Sequence, residues 1–140
     1  MHPATPVTRE LARRLIALEA LHGANSAVDG CEIARTCEKL RVSLAKLAGT
    51  AGYHSLIKRA IAVAKVDFPA LDAVQVCMDG SLEGFEEIVQ ENVQAGTAVL
   101  IQLLSLLVTF IGEPLTRVLI RDSWPEVTME KTNLQVEEPL

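Results

Sequence analysis

Apolar residues recur at helical spacing over most of the chain. Leu11, Leu15, Leu18 and His22 stand at i, i+4, i+7 and i+11 behind Thr8, a residue type that caps helix N-termini, and predict a first amphipathic helix ending near Gly23. Asn25 to Gly30 is rich in turn formers and reads as a connector. Ile33, Cys37, Leu40, Leu44 and Leu47 then follow a four-three spacing over two heptads, a narrow seam for packing on a second helix. Gly49 and Gly52 bracket Thr50 and Ala51, a break that ends this helix and lets a third begin at Tyr53. The third runs to Asp67 with Ile57, Ala60, Ile61, Ala64 and Phe68 on one face, and its alanines permit close helix packing. Pro69 stops it, because its ring clashes with a continuing helix and pushes the preceding residue out of the α region.

The period then changes. Val74, Val76 and Met78 alternate with Gln75 and Cys77 up to Asp79-Gly80, the pattern of a short strand or an extended loop; if it is a strand, pairing with the same segment of a second subunit is one way to satisfy its edge. Ser81 is placed to cap a short acidic helix through Phe85 and Ile88. From Asn92 to Gly112 no residue is charged, and Ala98 to Ile111 is apolar nearly all round, interrupted by Gln102, Ser105 and Thr109 in one stripe. Such a helix is the buried centre of a bundle or a membrane span. Glu91 and Glu113 bound it, with no Trp or Tyr belt and no Lys or Arg at its start, and the amphipathic neighbours need a centre to cover. Pro114 kinks this helix or opens the next, on which Leu115, Val118, Leu119 and Ile120 form the apolar face with Arg117 and Arg121 outside. Trp124-Pro125 closes it, and the acidic stretch beyond lacks periodicity. The expectation is an all-α, single-domain bundle of about five helices around a central hydrophobic helix, with one short extended segment. Residues 1–124 form the domain and 125–140 a flexible acidic tail, or an arm that orders on a partner.

Composition agrees with one domain: 140 residues, 49% of them hydrophobic, can build a core without staples. Cys31, Cys37 and Cys77 are odd in number and lack metal spacing, so they read as reduced core thiols. Met1 to Arg14 offers no apolar stretch of signal-peptide length, which makes the cytoplasm the expected location. Charge is uneven: residues 1–70 carry ten Lys/Arg against six Asp/Glu, and residues 71–140 carry three against twelve. Between Ile33 and Val66, Arg35, Lys39, Arg41, Lys46, Lys58, Arg59 and Lys65 are answered locally only by Glu38. The first six of these are the candidate interaction face, and the plain alternative is two oppositely charged solvated faces. Only Tyr53 supplies an aromatic ring among them, which argues against nucleic acid.

Chemistry-bearing patterns are scarce. His2, His22 and His54 have no metal-ligand spacing with each other, a cysteine or a carboxylate, and no phosphate-binding glycine loop, GxSxG or HExxH occurs. No cofactor is implied. Cys37 would need His22 or His54 brought beside it by the fold to act as a nucleophile. His54 has Lys58 and Arg59 about one turn on, an arrangement that could steady a phosphoryl group. It departs from the histidine phosphotransfer pattern, in which lysine comes three residues after histidine. A first-turn surface histidine is the simpler reading.

Leu103 to Glu126, with Cys37-Glu38-Lys39-Leu40 and Asp79-Gly80-Ser81-Leu82-Glu83-Gly84, resembles an uncharacterised family of small bacterial all-helical proteins. The resemblance implies a bacterial one-domain helical fold and brings no activity, cofactor or site. The function expected is therefore a non-enzymatic module that associates with itself or another protein. One alternative is membrane association by insertion of the 92–112 segment, and a second is a phosphorelay element using His54.

Overall fold

The computed structural model describes residues 6–22 and 31–125. Helix α1 (Pro6–His22) is followed by α2 (Cys31–Ala64), a single-turn 3-10 segment (Pro69–Ala73), strands β1 (Gln75–Val76) and β2 (Leu82–Glu83), α3 (Phe85–Glu91), α4 (Val93–Ile111) and α5 (Glu113–Ser123). Among the described residues the architecture is all-α: five helices, of which α1, α2, α3 and α5 pack around α4, with a small two-stranded hairpin. The expected connector at Asn25 to Gly30 and the tail beyond Pro125 lie outside the described residues.

Helix α1 begins at Pro6, a residue whose fixed φ suits a first helical turn. Thr8 is therefore inside the helix and buried, and is not the cap its residue type suggested. Leu11, Ala12 and Leu15 face the core, and so does Glu19. In α2 the seam of Ile33, Cys37, Leu40 and Leu44 is buried as its spacing requires, but Leu47 is not. The reason is the break just beyond it: Gly49 stands at φ 85°, ψ 160°, bends α2, and carries the two arms in different directions. The second arm buries Tyr53, Ile57, Ala60, Ile61 and Ala64. Its helix ends at Ala64, and residues 65–67 form turns before Pro69 opens the 3-10 segment.

The extended segment finds its partner inside the chain. Gln75 pairs with Glu83 and Val76 with Leu82 in antiparallel register, so one edge of the segment is satisfied within the chain. A tight turn joins the strands, with Cys77 N donating to Ser81 O at 2.8 Å and Gly80 N to Cys77 O at 2.9 Å. Asp79 Oδ1 accepts from both Ser81 N (2.9 Å) and Ser81 Oγ (2.6 Å). Ser81 thus belongs to the turn, and α3 starts behind Gly84 without a side-chain cap. The turn lies against Tyr53: a Cβ on Gly80, which has φ +88°, would stand 2.5 Å from Tyr53 Cδ2.

Asn92 opens α4, its Oδ1 accepting from Gln94 N at 3.1 Å. Ala95, Gly96, Val99, Leu100, Leu103, Leu104 and Leu107 fill the centre of the bundle. The stripe of Gln102, Ser105 and Thr109 runs from half-buried to exposed, and the Ser105 hydroxyl is itself buried with no hydrogen-bond partner. Gly112 (φ 88°) ends α4, and Pro114 sits in the first turn of α5, which resolves its two sequence readings in favour of helix initiation. On α5, Thr116, Leu119 and Ile120 point inward while Leu115 and Val118 point out. The apolar face expected there is thereby split, because α5 meets α2 and α4 over only one side.

Candidate functional site

Two features stand out from the residues upward. The first is internal. Glu19 lies four residues after Leu15 on the inward stripe of α1 and is 1% exposed. A carboxylate so placed must be paired, and three groups converge on it. Trp124 Nε1 donates to Oε2 at 3.0 Å, Arg35 Nε to Oε1 at 3.2 Å, and Lys39 forms an ion pair with Oε2. Arg35 Nη2 also donates to the Glu19 backbone oxygen at 3.0 Å. Lys39 Nζ sits 5.4 Å from the centre of the Trp124 ring, over its face. Burial alone would raise the Glu19 carboxyl, but the bonds from Lys39 and Trp124, the Lys39 charge and the Arg35 bond outweigh it and hold the group below its ordinary value. This knot ties α1, α2 and the end of α5 together.

The second feature is a groove of about 470 Å³ between the first arm of α2 and α5. Ser43 Oγ lies 2.6 Å from Ser123 Oγ and fixes the register of the pair. Leu47, Leu115, Val118 and Leu119 form the apolar floor, and Lys46, Arg121 and Asp122 stand at the rim. Val118 is 60% exposed, Leu47 48% and Leu115 38%. Phe110, at the end of α4, is 58% exposed. Large apolar side chains gathered in this way mark an association surface far more often than isolated ones do.

The candidate basic face is divided by the fold. Arg35 and Lys39 turn to Glu19, and Arg41 binds Glu38 and approaches Asp79 at 4.0 Å. Lys46 stands at the groove, while Lys58 and Arg59 are exposed on the second arm of α2. Lys65 pairs with Asp72 at 3.2 Å. The acidic answer to Arg35 and Lys39 comes from α1, outside the stretch in which Glu38 is the only local acid. His54 is half-buried on the second arm, with Lys58 one turn further on.

Other chemistry is sparse among the described residues. No group of three or more His, Cys, Asp or Glu could hold a metal ion there. Cys37 and Cys77 are free thiols, and burial, with the charge of Glu38 beside it, pushes the Cys37 thiol up to about 12. That keeps it protonated and inert. A second cleft, of about 330 Å³, opens between α2, the hairpin turn and α3, where Arg41 is already occupied by Glu38 and Tyr53 donates to Cys37 O at 3.4 Å.

Sequence reasoning missed Glu19 and Trp124. The signal was present: a glutamate at i+8 from Leu11 and i+4 from Leu15 occupies a core position, and the sole tryptophan follows directly on an amphipathic helix. Compared with protein-family models, curated proteins and solved structures, the chain matches none. The resemblance carried by residues 37–40, 79–84 and 103–126 therefore identifies no family, and what stands is a small, mostly helical protein.

Proposed function

We propose that the protein is a non-enzymatic, self-associating interaction module of the bacterial cytoplasm, acting through the α2–α5 groove. The observation that carries this reading is the cluster of Leu47, Leu115 and Val118, outward-facing on two adjacent helices whose inner faces are already used. Covering those three side chains offers a hydrophobic gain that folding of the single chain leaves unrealised. Lys46 and Arg121 beside Asp122 let the same patch meet its own copy across a two-fold axis, with cations of one protomer facing the anion of its partner. The test is amide hydrogen exchange at low and high protein concentration. Protection along the exposed side of α5 should rise with concentration, and unchanged protection there would remove the reading.

Membrane association through α4 is a second reading with its own support. Val93–Ile111 has 19 residues with a mean hydropathy of 1.8, long and apolar enough to cross a bilayer. Insertion would require Leu100, Leu103, Leu104 and Leu107 to leave their bundle neighbours. Flotation with lipid vesicles tests it: protein remaining at the bottom of the gradient discards this reading.

A further inference from the structure

One residue makes the bend in α2. Gly49 stands at φ 85°, ψ 160°, a conformation open to glycine and strained for other residues, while helix runs on both sides of it. Nothing lies within 4 Å of where a Cβ on Gly49 would stand, so no packing contact at that point imposes the bend. Residues 31–64 contain no proline, and Ala48 and Ala51 beside the bend are strong helix formers. Local chemistry therefore allows α2 to run straight through Gly49.

A straight α2 could not pack both of its arms on its own bundle. At about 100° per residue, Ile33, Leu40 and Leu44 of the first arm would lie roughly 150° around the helix from Ile57, Ala60 and Ala64 of the second, on nearly opposite sides. In the bent chain all six are buried in one core. A single α4 cannot cover two opposite sides of one rod, so straightening bares the seam of the first arm unless a second copy covers it.

We propose that Gly49 is a hinge on which two copies of the chain exchange their first α2 arms, each arm seated on α4 and α5 of the other copy. The exchange rebuilds contacts already present instead of requiring new ones, which makes it a low-cost route to a pair. Ser43 on the arm meets Ser123 on α5, and Tyr53 on the second arm donates to Cys37 O on the first. Both bonds join parts that the hinge separates, and each can form within one chain or between two. Helix α1 is tied to the arm by Glu19 and Arg35 and travels with it, so the bond from Trp124 to Glu19 also passes between copies. The arm must first leave α4, so the exchanged pair arises while chains fold at high concentration, not when folded chains are concentrated. It is independent of pairing through the α2–α5 groove, which it rebuilds without filling.

The test introduces Ser43→Cys plus Ser123→Cys into the full chain, at two hydroxyls that lie 2.6 Å apart. The chain is refolded from urea at low and high concentration, oxidised, and sized under denaturing conditions, with the 43–123 linkage mapped by mass spectrometry. A bent chain closes that linkage internally and keeps the mass of one chain, and so does each member of a pair held by the groove. An exchanged pair instead gives two chains joined through 43–123 linkages. This joined species is expected after refolding at high concentration, with a several-fold greater yield when Gly49→Ala is added, because alanine is strained at the bend and favours the straight helix. Linkages that stay internal at every refolding concentration in the chain that keeps Gly49 would overturn the inference, whether or not the Gly49→Ala variant folds. A folded Gly49→Ala variant with no greater yield would overturn it as well.

Discussion

Trp124 Nε1 donates to Glu19 Oε2 at 3.0 Å across 105 residues of sequence, joining the last helix to the first. Neither residue sits where its type would ordinarily be placed without a partner: a glutamate in the core is costly, and a fully buried indole needs an acceptor for its N–H. Each answers the other's need, and Lys39 and Arg35 complete the carboxylate's hydrogen bonding from α2.

Replacing Trp124 by Phe keeps most of the apolar ring but removes the donor. Stability should fall by about 1–3 kcal/mol, the usual cost of leaving a buried acceptor short of a partner. Urea unfolding measures it, and a midpoint equal to that of the unaltered chain would show that the bond contributes nothing.

Acid should weaken the fold through the same group. The Glu19 carboxyl is held below its ordinary value of 4.5 in the folded chain. Between that folded value and 4.5 the unfolded chain takes up a proton that the folded chain refuses. The stabilisation is therefore complete above 4.5 and is lost as pH falls from 4.5 through the folded value. Glu19→Gln should flatten this part of the acid limb when urea midpoints are followed downward from neutral pH, and a limb of unchanged steepness would assign the acid sensitivity to other carboxylates.

Two glycines with similar positive φ should respond differently to alanine. Gly80→Ala combines positive φ with a Cβ 2.5 Å from Tyr53 Cδ2, so the hairpin turn or the Tyr53 ring must move. Gly49→Ala has positive φ and nothing within 4 Å of its added Cβ. Backbone strain alone should cost the second about 1–3 kcal/mol, and the clash with Tyr53 should add to the loss in the first. Thermal melting of the two variants decides the order.

A charge at Leu104 should prevent folding, because the site is fully buried at the centre of α4. Val118→Asp is the control, since that side chain is mostly in water and folding should survive it. Circular dichroism with thermal melting separates the cases, and a cooperatively folded Leu104→Asp would contradict the central position of α4.

Much of this was legible in the sequence because periodicity and breakers act locally. Ile33, Cys37, Leu40 and Leu44 form the seam their spacing requires, Gly49 breaks the helix within the Gly49–Gly52 stretch, and Pro114 opens α5. What was not legible depends on distant partners. The two-residue strand at Gln75–Val76 has its mate across a turn, in Leu82–Glu83, too short to announce itself by alternation. Leu115 and Val118 match the apolar pattern of α5 as well as Leu119 does, and only the angle at which α5 meets α2 and α4 decides which side is covered. The basic stretch read as a face because Glu19, which neutralises Arg35 and Lys39, belongs to another helix.

The central claim is that the exposed α2–α5 surface holds copies of the chain together. Light scattering behind a sizing column, across a range of loading concentrations, tests it directly. The account predicts a mass that climbs from the 15.2 kDa of one chain toward twice that value, and a Val118→Lys variant that folds yet stays at the single-chain mass. An unaltered chain that keeps the single-chain mass at every concentration, or a Val118→Lys variant that pairs as well as its parent, would contradict it.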